Sequence, residues 1–447
     1  MFSRRQFIHI GAGAAVTAAL AACSSRGGSS SPDVTALASE PTSDSPSSTS
    51  ASTSAPPTTA GATVPSLSPS SPAPDTTVAS VISPGGNGRT LVVVQMNGGN
   101  DALNTLVPSD GRYRDARPTL AIPESDVISL NGVTDWSLHP KLAPLTTYWD
   151  GGTAAFLPGI GFSDPDHSHF VSLDRWWRSD DHSASTGWLG RSVAADSSAP
   201  LYATALGSGA PLLRSDAFQA AVVIQPGAFA FPAGLSADAL RDLTEPVSAD
   251  LLHALAQQSM TATIGAVDSF ASLLDPAAAG SDDVSYREGG LDLVEGLDLA
   301  ARLVTSGVGA RIVVVSVGGF DTHSNQLVTH DALLDDLAKG IDAFMQRVAA
   351  AGASDTTLLV TTSEFGRRVG ENASGGFDHG AGGLSMMFGG AVIGGIHGEV
   401  DLGDQLDGDV RPTLDPRTMY TACLDWLGLD PVVALGRRYD DVTLLTA

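Results

Sequence analysis

Short, continuous apolar runs that end in polar or glycine-rich loops recur along the chain from Thr90 onward. The first is Leu91-Val92-Val93-Val94, which leads into Asn97-Gly98-Gly99-Asn100-Asp101. Runs of the same form occupy residues 154–158, 220–224, 312–317 and 358–362. A strand that is apolar at every position is typical of a parallel sheet with both faces covered. These runs therefore predict the central strands of one sheet.

Helical patterns lie between the apolar runs. One covers residues 291–305, and another carries a single apolar stripe made of Leu333, Leu334, Leu337, Ile341, Phe344, Met345 and Val348. Strands that alternate with helices predict an α/β domain with a doubly wound, mainly parallel sheet. We assign this domain to residues 89–447. Its functional groups are expected on the loops at the carboxyl ends of the strands.

The first residues have the features of an export signal. Arg4 and Arg5 precede an uncharged apolar run over residues 8–22, which is shorter than the about 20 residues that span a bilayer. Small residues then precede Cys23, as in lipoprotein signals. Residues 1–23 are therefore predicted to be a twin-arginine lipoprotein signal peptide, with an uncleaved anchor helix or a cleavable Sec-type signal as alternatives. The expected partners are the twin-arginine export machinery and a membrane that holds the lipid on Cys23.

The next segment has the composition of a tether. Residues 24–88 are dominated by Ser, Thr, Pro, Ala and Gly, with too few large apolar side chains to offset the entropy cost of ordering. They are predicted to be a disordered link between a lipid anchor and the domain. If Cys23 is acylated, only Cys423 remains, so no disulfide forms within the chain. The expected location is the outer face of the cytoplasmic membrane or the cell envelope.

The charge balance narrows the set of partners. The net charge is −25, and lysines and arginines are few and scattered. Nucleic acids are bound through clustered basic side chains, so this composition argues against a nucleic-acid partner. An anionic small molecule or envelope component stays open as a substrate, provided that metal ions invert the local field.

Acidic, histidine and serine residues follow four of the predicted strands. If these strands are neighbours, the side chains meet at one edge of the sheet and suit a divalent metal such as Zn, Mn, Mg or Ca. Ser168 lies at a predicted helix start, where it is placed to act as a nucleophile or to bind an anion. Each residue also has an ordinary structural interpretation, such as a turn or a helix cap. His139, Trp176 and Trp177 are predicted to be structural.

Several of these segments match a known pattern. They are Asn97-Gly98-Gly99-Asn100-Asp101, Ser168-His169-Phe170, Gly187-Trp188-Leu189-Gly190-Arg191, Gly318-Gly319-Phe320-Asp321-Thr322-His323, Ser363-Glu364-Phe365-Gly366-Arg367 and Asp378-His379-Gly380. Together they resemble the exported bacterial family called "domain of unknown function 1501". The resemblance implies an alkaline phosphatase/sulfatase-like fold, in which bound metals assist the transfer of phosphoryl or sulfuryl groups.

The resemblance also implies roles for individual residues. Ser168 would be the nucleophile. Separately from the resemblance, we expect Arg367 either to pair bidentately with the anionic group of the substrate or to form an exposed salt bridge. The implied metal ligands are Asp101, Asp321, His323, Glu364 and His379, with Asp378 either a further ligand or a residue that orients His379. Phe365 stands where the superfamily has a ligand, and its ring cannot bind a metal. The function expected from the sequence is hydrolysis of phosphate or sulfate esters, and the alternative is a non-catalytic protein that binds a cell-envelope polymer.

Overall fold

The computed structural model describes residues 88–193, 199–232, 234–245, 247–273 and 291–446. The predicted signal peptide, the acylated Cys23 and all of the predicted tether except residue 88 lie outside these ranges. Among the residues described, no helix has both the length and the apolar character needed to cross a membrane.

Thirteen strands are present in the described ranges. In chain order they are β1 Thr90–Met96, β2 Leu106–Pro108, β3 Ile128–Ser129, β4 Trp136–Leu138, β5 Ala154–Ile160, β6 Ala203–Leu206, β7 Ala221–Val223, β8 Ile312–Val317, β9 Thr357–Thr362, β10 Gly383–Phe388, β11 Gly395–Ile396, β12 Gln405–Leu406 and β13 Asp409–Val410.

The described residues also form ten α-helices. They are α1 Ala102–Thr105, α2 Gly111–Ala116, α3 Thr146–Asp150, α4 His169–Arg178, α5 Ala237–Arg241, α6 Leu251–Ala271, α7 Leu293–Thr305, α8 Gln326–Ala350, α9 Pro416–Leu427 and α10 Pro431–Leu435. Short 3-10 turns cover Pro140–Leu145, Gly190–Ser192, Pro211–Leu213, Pro226–Ala228 and Ser354–Thr356.

Eight strands form the central sheet in the order β11-β5-β10-β9-β1-β8-β6-β7. β1 pairs in parallel with both β8 and β9, and β6 continues the parallel arrangement toward β7. β10 is antiparallel to its neighbours β5 and β9. The predicted α/β class with a mainly parallel sheet is therefore confirmed.

All five predicted apolar runs are strands of this sheet, and both predicted helical patterns fall in helices. The runs correspond to β1, β5, β7, β8 and β9, and the helical patterns to α7 and α8. The sequence did not predict β6 or β10. β10 has the sequence Gly-Leu-Ser-Met-Met-Phe and contains no β-branched residue, unlike β1, β7, β8 and β9.

Both faces of the sheet are covered, as continuous apolar strands require. In β1, Val92 and Val94 belong to a core that includes residues of α7 and α8. The alternate residues Leu91 and Val93 belong to a second core, which includes residues of α4 and α9. Side chains of successive strand residues point to opposite faces, so the sheet separates two apolar layers.

The direction of β10 determines which loops meet at the functional edge. β1, β5, β8 and β9 all end at the same edge, because they run in the same direction. β10 runs the other way and begins there, with Gly383 paired to Ile160 at the end of β5. The segment that links β9 to β10 therefore also lies at the edge where the parallel strands end.

Candidate metal centre at the carboxyl edge of the sheet

The loop after β1 passes very close to the loop after β8. Gly98 has a φ of +121°, and a Cβ atom built on it would lie 2.3 Å from the backbone nitrogen of Asp321. The Phe320 amide donates to the Asn97 carbonyl at 3.2 Å. Only glycine allows such an approach with this backbone conformation. The two loops are thus held against each other at the base of the site.

Arg367 fastens these loops to the segment between β9 and β10. Its side chain is fully buried and donates to the Gly99 and Phe377 carbonyls at 2.7 and 2.9 Å. It also donates to the Gly98 and Phe320 carbonyls and, at 2.7 Å, to Asp321 Oδ1. The guanidinium N–H groups are therefore engaged within the protein, and Arg367 holds three loops and one carboxylate in place.

Three imidazoles surround the same carboxylate oxygen. Asp321 Oδ1 lies 3.4 Å from His169 Nε2, 3.1 Å from His323 Nε2 and 3.3 Å from His379 Nε2. The Nε2 atoms of His323 and His379 are 2.8 Å apart. Ligand atoms of His169, Asp321 and His379 all lie within 4.8 Å of one another. This four-residue group, which we call the histidine cluster, collects donors from the ends of β5 and β8 and from the approach to β10.

Each imidazole is anchored through its other ring nitrogen. His169 Nδ1 lies 2.8 Å from Glu364 Oε1, and His323 Nδ1 lies 3.1 Å from Asp378 Oδ1. His379 Nδ1 lies 2.6 Å from the carbonyl of His167. Oxygen atoms of these types only accept hydrogen bonds, so each Nδ1 is assigned a proton. In the neutral tautomers, each Nε2 then presents a lone pair to the centre of the cluster.

This arrangement fits a bound metal ion. Two imidazole lone pairs at 2.8 Å repel each other unless a proton or a metal ion lies between them. His169 Nε2 is moreover a buried nitrogen with no hydrogen-bond partner. A buried polar atom without a partner is costly, and a metal ion would satisfy it. Three nitrogens and one carboxylate oxygen, with Nδ1 atoms held by oxygen acceptors, form a donor set typical of zinc sites.

The surroundings of the cluster shift its pKa values in different directions, and hydrogen bonding to Glu364 raises the pKa of His169. Burial alone would raise the pKa of Asp321, but the Arg367 guanidinium outweighs it and holds that pKa below its usual range. Burial lowers the pKa of His379. The carboxylate is therefore ionised and the His379 ring neutral at neutral pH, which are the forms that bind a metal.

Ser168 lies between two residues that contact the cluster. The carbonyl of His167 anchors His379, and His169 belongs to the cluster itself. Ser168 is the N-cap of α4, yet its hydroxyl makes no capping hydrogen bond. The residue is partly exposed, and the positive end of the α4 dipole is at this position. The hydroxyl is thus not used by the helix it precedes.

The structure brings together Asp321, His323 and His379 among the predicted ligands. Glu364 and Asp378 lie behind them, where their carboxylates orient His169 and His323. Asp101 has a different environment. Its side chain is fully buried and pairs with the equally buried Arg117 at 2.9 Å. Arg367, predicted to pair with a substrate anion, instead has backbone carbonyls and Asp321 as its partners.

His169 was not among the predicted ligands. The sequence placed it beside Ser168 after β5 but gave no reason to prefer it over its neighbour His167, which pairs with Asp409 at 2.7 Å. His139, predicted to be structural, is buried and caps the 3-10 turn that starts at Pro140.

Residues 281–440 match the model of a family described as "Protein of unknown function (DUF1501)". The predicted resemblance to this family is confirmed over these residues. They include Asp321, His323 and His379 of the histidine cluster but not His169 or Ser168, which lie earlier in the chain. No curated protein matches the sequence.

Several solved structures are similar to this chain at low identity. Lipoteichoic acid synthase LtaP from Listeria monocytogenes is 10% identical, with a TM-score of 0.34, and the match covers 78% of this chain and 74% of that one. Phosphonate monoester hydrolase SpPMH from Silicibacter pomeroyi is 10% identical, with a TM-score of 0.33 and coverage of 79% and 78%. Alkaline phosphatase from the Antarctic bacterium TAB5 is 13% identical, with a TM-score of 0.31 and coverage of 70% and 95%. Likeness at this level carries no inference about activity.

Proposed function

We propose that this protein is an exported, lipid-anchored, metal-dependent hydrolase of phosphate or sulfate esters. The observation that carries the catalytic part is the convergence of three Nε2 atoms on Asp321 Oδ1, within 3.4 Å in each case. The paired arginines and the small residues before Cys23 support export and acylation. The long Ser/Thr/Pro-rich segment suits a domain tethered away from a lipid surface.

The residues that would hold the metal are His169, Asp321, His323 and His379. A divalent ion bound there would supply a Lewis acid that polarises a phosphoryl or sulfuryl oxygen and offsets developing negative charge. Imidazole nitrogens favour zinc over magnesium or calcium, which prefer oxygen ligands. Arg367 is a positioning residue in this proposal, because it orients Asp321 and does not face the substrate.

Ser168 would be the nucleophile. In the proposed reaction its Oγ forms a bond to phosphorus or sulfur while the bond to the ester oxygen breaks, and the serine proton leaves to solvent. The departing oxygen takes a proton from water. A water molecule then hydrolyses the serine ester and regenerates the hydroxyl. The free hydroxyl and the α4 N-terminus support this role, since the backbone N–H groups there stabilise an anionic group.

The test measures metal and turnover in the same preparations. The full chain and the variant Asp321→Asn/His323→Gln are analysed for metal by plasma mass spectrometry and assayed with 4-nitrophenyl phosphate and 4-nitrophenyl sulfate. The proposal expects metal and hydrolysis in the parent protein and loss of both in the variant. Ser168→Ala should keep the metal and lose at least ~100-fold in turnover, as expected for removal of a nucleophile.

A second histidine–aspartate pair in the same chain provides the matched control. His139 Nε2 lies 3.1 Å from Asp331 Oδ1, and neither residue belongs to the histidine cluster. Asp331→Asn/His139→Gln should therefore keep both metal and activity. Metal-free, folded parent protein without turnover would refute the hydrolase proposal and favour the alternative of a non-catalytic envelope-binding protein.

A further inference from the structure

Phe365 packs against two of the three imidazoles in the histidine cluster. Its ring centroid lies 4.9 Å from that of His169 at an interplanar angle of 40°, and 4.8 Å from that of His379 at 32°. The two imidazoles also contact each other, with centroids 4.2 Å apart. Phe365 is only 3% exposed. Its ring therefore forms a wall against which two ligand rings rest.

The loop after β1 is shaped to leave room for this ring. A Cβ atom on Gly99 would lie 2.3 Å from Cε2 of Phe365. Gly99 also has a φ of +76°, and its carbonyl accepts a hydrogen bond from Arg367 Nε at 2.7 Å. A side chain at position 99 would push the ring into the imidazoles. The glycine, the arginine and the aromatic ring thus form one assembly behind the cluster.

The carboxylates nearest to the cluster are already engaged. Glu364 Oε1 accepts from the Gly98 amide at 2.8 Å and faces His169 Nδ1. Asp378 Oδ1 contacts His323 Nδ1 and accepts from Asn372 at 3.1 Å. Of the carboxylates predicted as ligands, only Asp321 faces the Nε2 atoms. This donor supply is enough for one ion, and the apolar ring of Phe365 occupies space beside it.

We infer that Phe365 is a positioning residue that holds His169 and His379 around a single metal ion. The inference rests on the proposed metal site and adds its stoichiometry and the residue that shapes it. An imidazole that is free to rotate must lose that freedom on binding a metal, so a ring already confined by its neighbours binds more tightly. Phe365 supplies this confinement through packing, while Glu364 supplies it through a hydrogen bond.

The test is a titration of the full-length protein with Co²⁺, followed by the visible absorption of the bound ion. The parent protein is expected to saturate at one equivalent. Phe365→Leu and the unbranched Phe365→Met should each weaken Co²⁺ binding about 10–100-fold, the range seen when groups that orient metal ligands are removed. Their absorption bands should also broaden, because the ligand rings are less fixed.

Phe344→Leu is the matched control. Phe344 is a fully buried phenylalanine of α8 in the core on one face of the sheet, and the substitution removes the same atoms. It should lower the unfolding temperature without changing Co²⁺ affinity. Unchanged affinity in both folded Phe365 variants would overturn the inference and leave the metal site standing. Two equivalents in the parent protein would overturn the single-ion assignment, whereas no binding by the parent would refute the proposed function itself.

Discussion

Replacing Arg117 with methionine should destabilise the protein severely, because it leaves a buried carboxylate without its counter-ion. The side chains of Arg117 and Asp101 are both fully buried and lie 2.9 Å apart. Arg117 also donates to the Val369 carbonyl at 2.9 Å and the Arg368 carbonyl at 3.0 Å. Its guanidinium carbon lies 4.0 Å from the ring centroid of Phe377. The variant removes all of these interactions at once.

The expected loss can be estimated from these contacts. Breaking a buried ion pair by removing one partner costs about 3–5 kcal/mol, because the remaining charge stays desolvated. Folded domains have a total stability of about 5–15 kcal/mol. Arg117→Met should therefore remove about a fifth of the unfolding free energy or more. Arg117→Met/Asp101→Asn should be more stable than Arg117→Met alone, since the amide that replaces the carboxylate carries no charge and its oxygen can still accept from Gln326.

Urea unfolding is followed by tryptophan fluorescence in the parent protein, Arg117→Met, Asp101→Asn and the double variant. The four unfolding free energies give the coupling between positions 101 and 117. A loss below about 1 kcal/mol in Arg117→Met would refute the reasoning, because a loss of that size is typical of an exposed pair. Metal content provides a second readout. Since the carboxylate oxygens of Asp101 face Arg117, Asp101→Asn should reduce stability and leave the metal content unchanged. Loss of metal in this variant would instead support the ligand role that the family resemblance implied.

Further predictions concern pH, thiols and a close backbone contact. Burial lowers the pKa of His330 from 6.5 to about 4, so the unfolded state takes up a proton at a higher pH than the folded state does. As pH falls from 6.5 to 4, up to about 3 kcal/mol of stability is therefore lost. In a series of urea melts at different pH values, His330→Gln should show a smaller loss over this range. Burial raises the pKa of the Cys423 thiol, so this thiol should react with Ellman's reagent only after denaturation. In the denatured protein, one reactive thiol per chain indicates that Cys23 is acylated, and two indicate that Cys23 is free. Gly98→Ala should cost at least about 2 kcal/mol more than Gly132→Ala, which shares a positive φ but has open space around it; equal losses in thermal melts would show that the contact with Asp321 is not tight.

The sequence predicted five strands of the central sheet, because each of them contains a continuous run of mostly apolar residues. The sequence did not predict the register or order of the strands. It also did not predict β10, whose direction brings His379 to the site. The sequence also could not separate His167 from His169. The distinction depends on which of the two histidines contacts Glu364, and Glu364 is 195 positions from His169. Pairwise contacts at such separations leave no local periodicity to detect.

Buried polar partners were equally hidden. Asp101 looked like a ligand because it follows β1 directly, yet its nearest charge comes from Arg117, 16 positions later. Nothing in the intervening residues marks that arginine as buried. Arg367 was expected to pair with a substrate anion, yet the fold surrounds it with carbonyl oxygens. In both cases burial, which only the packed structure reveals, decides the role of the charge.

The distribution of the histidine cluster along the chain ties the site to completion of the fold. His379 is 58 positions from the aspartate it approaches and 212 from the carbonyl that anchors it. No fragment that lacks the start of α4, the loop after β8 or the β9–β10 connection contains the full set of donors. A growing or partly unfolded chain therefore has no preformed centre. An ion or molecule that binds the histidine cluster would bind only to the folded protein, and its binding would report that the sheet is complete.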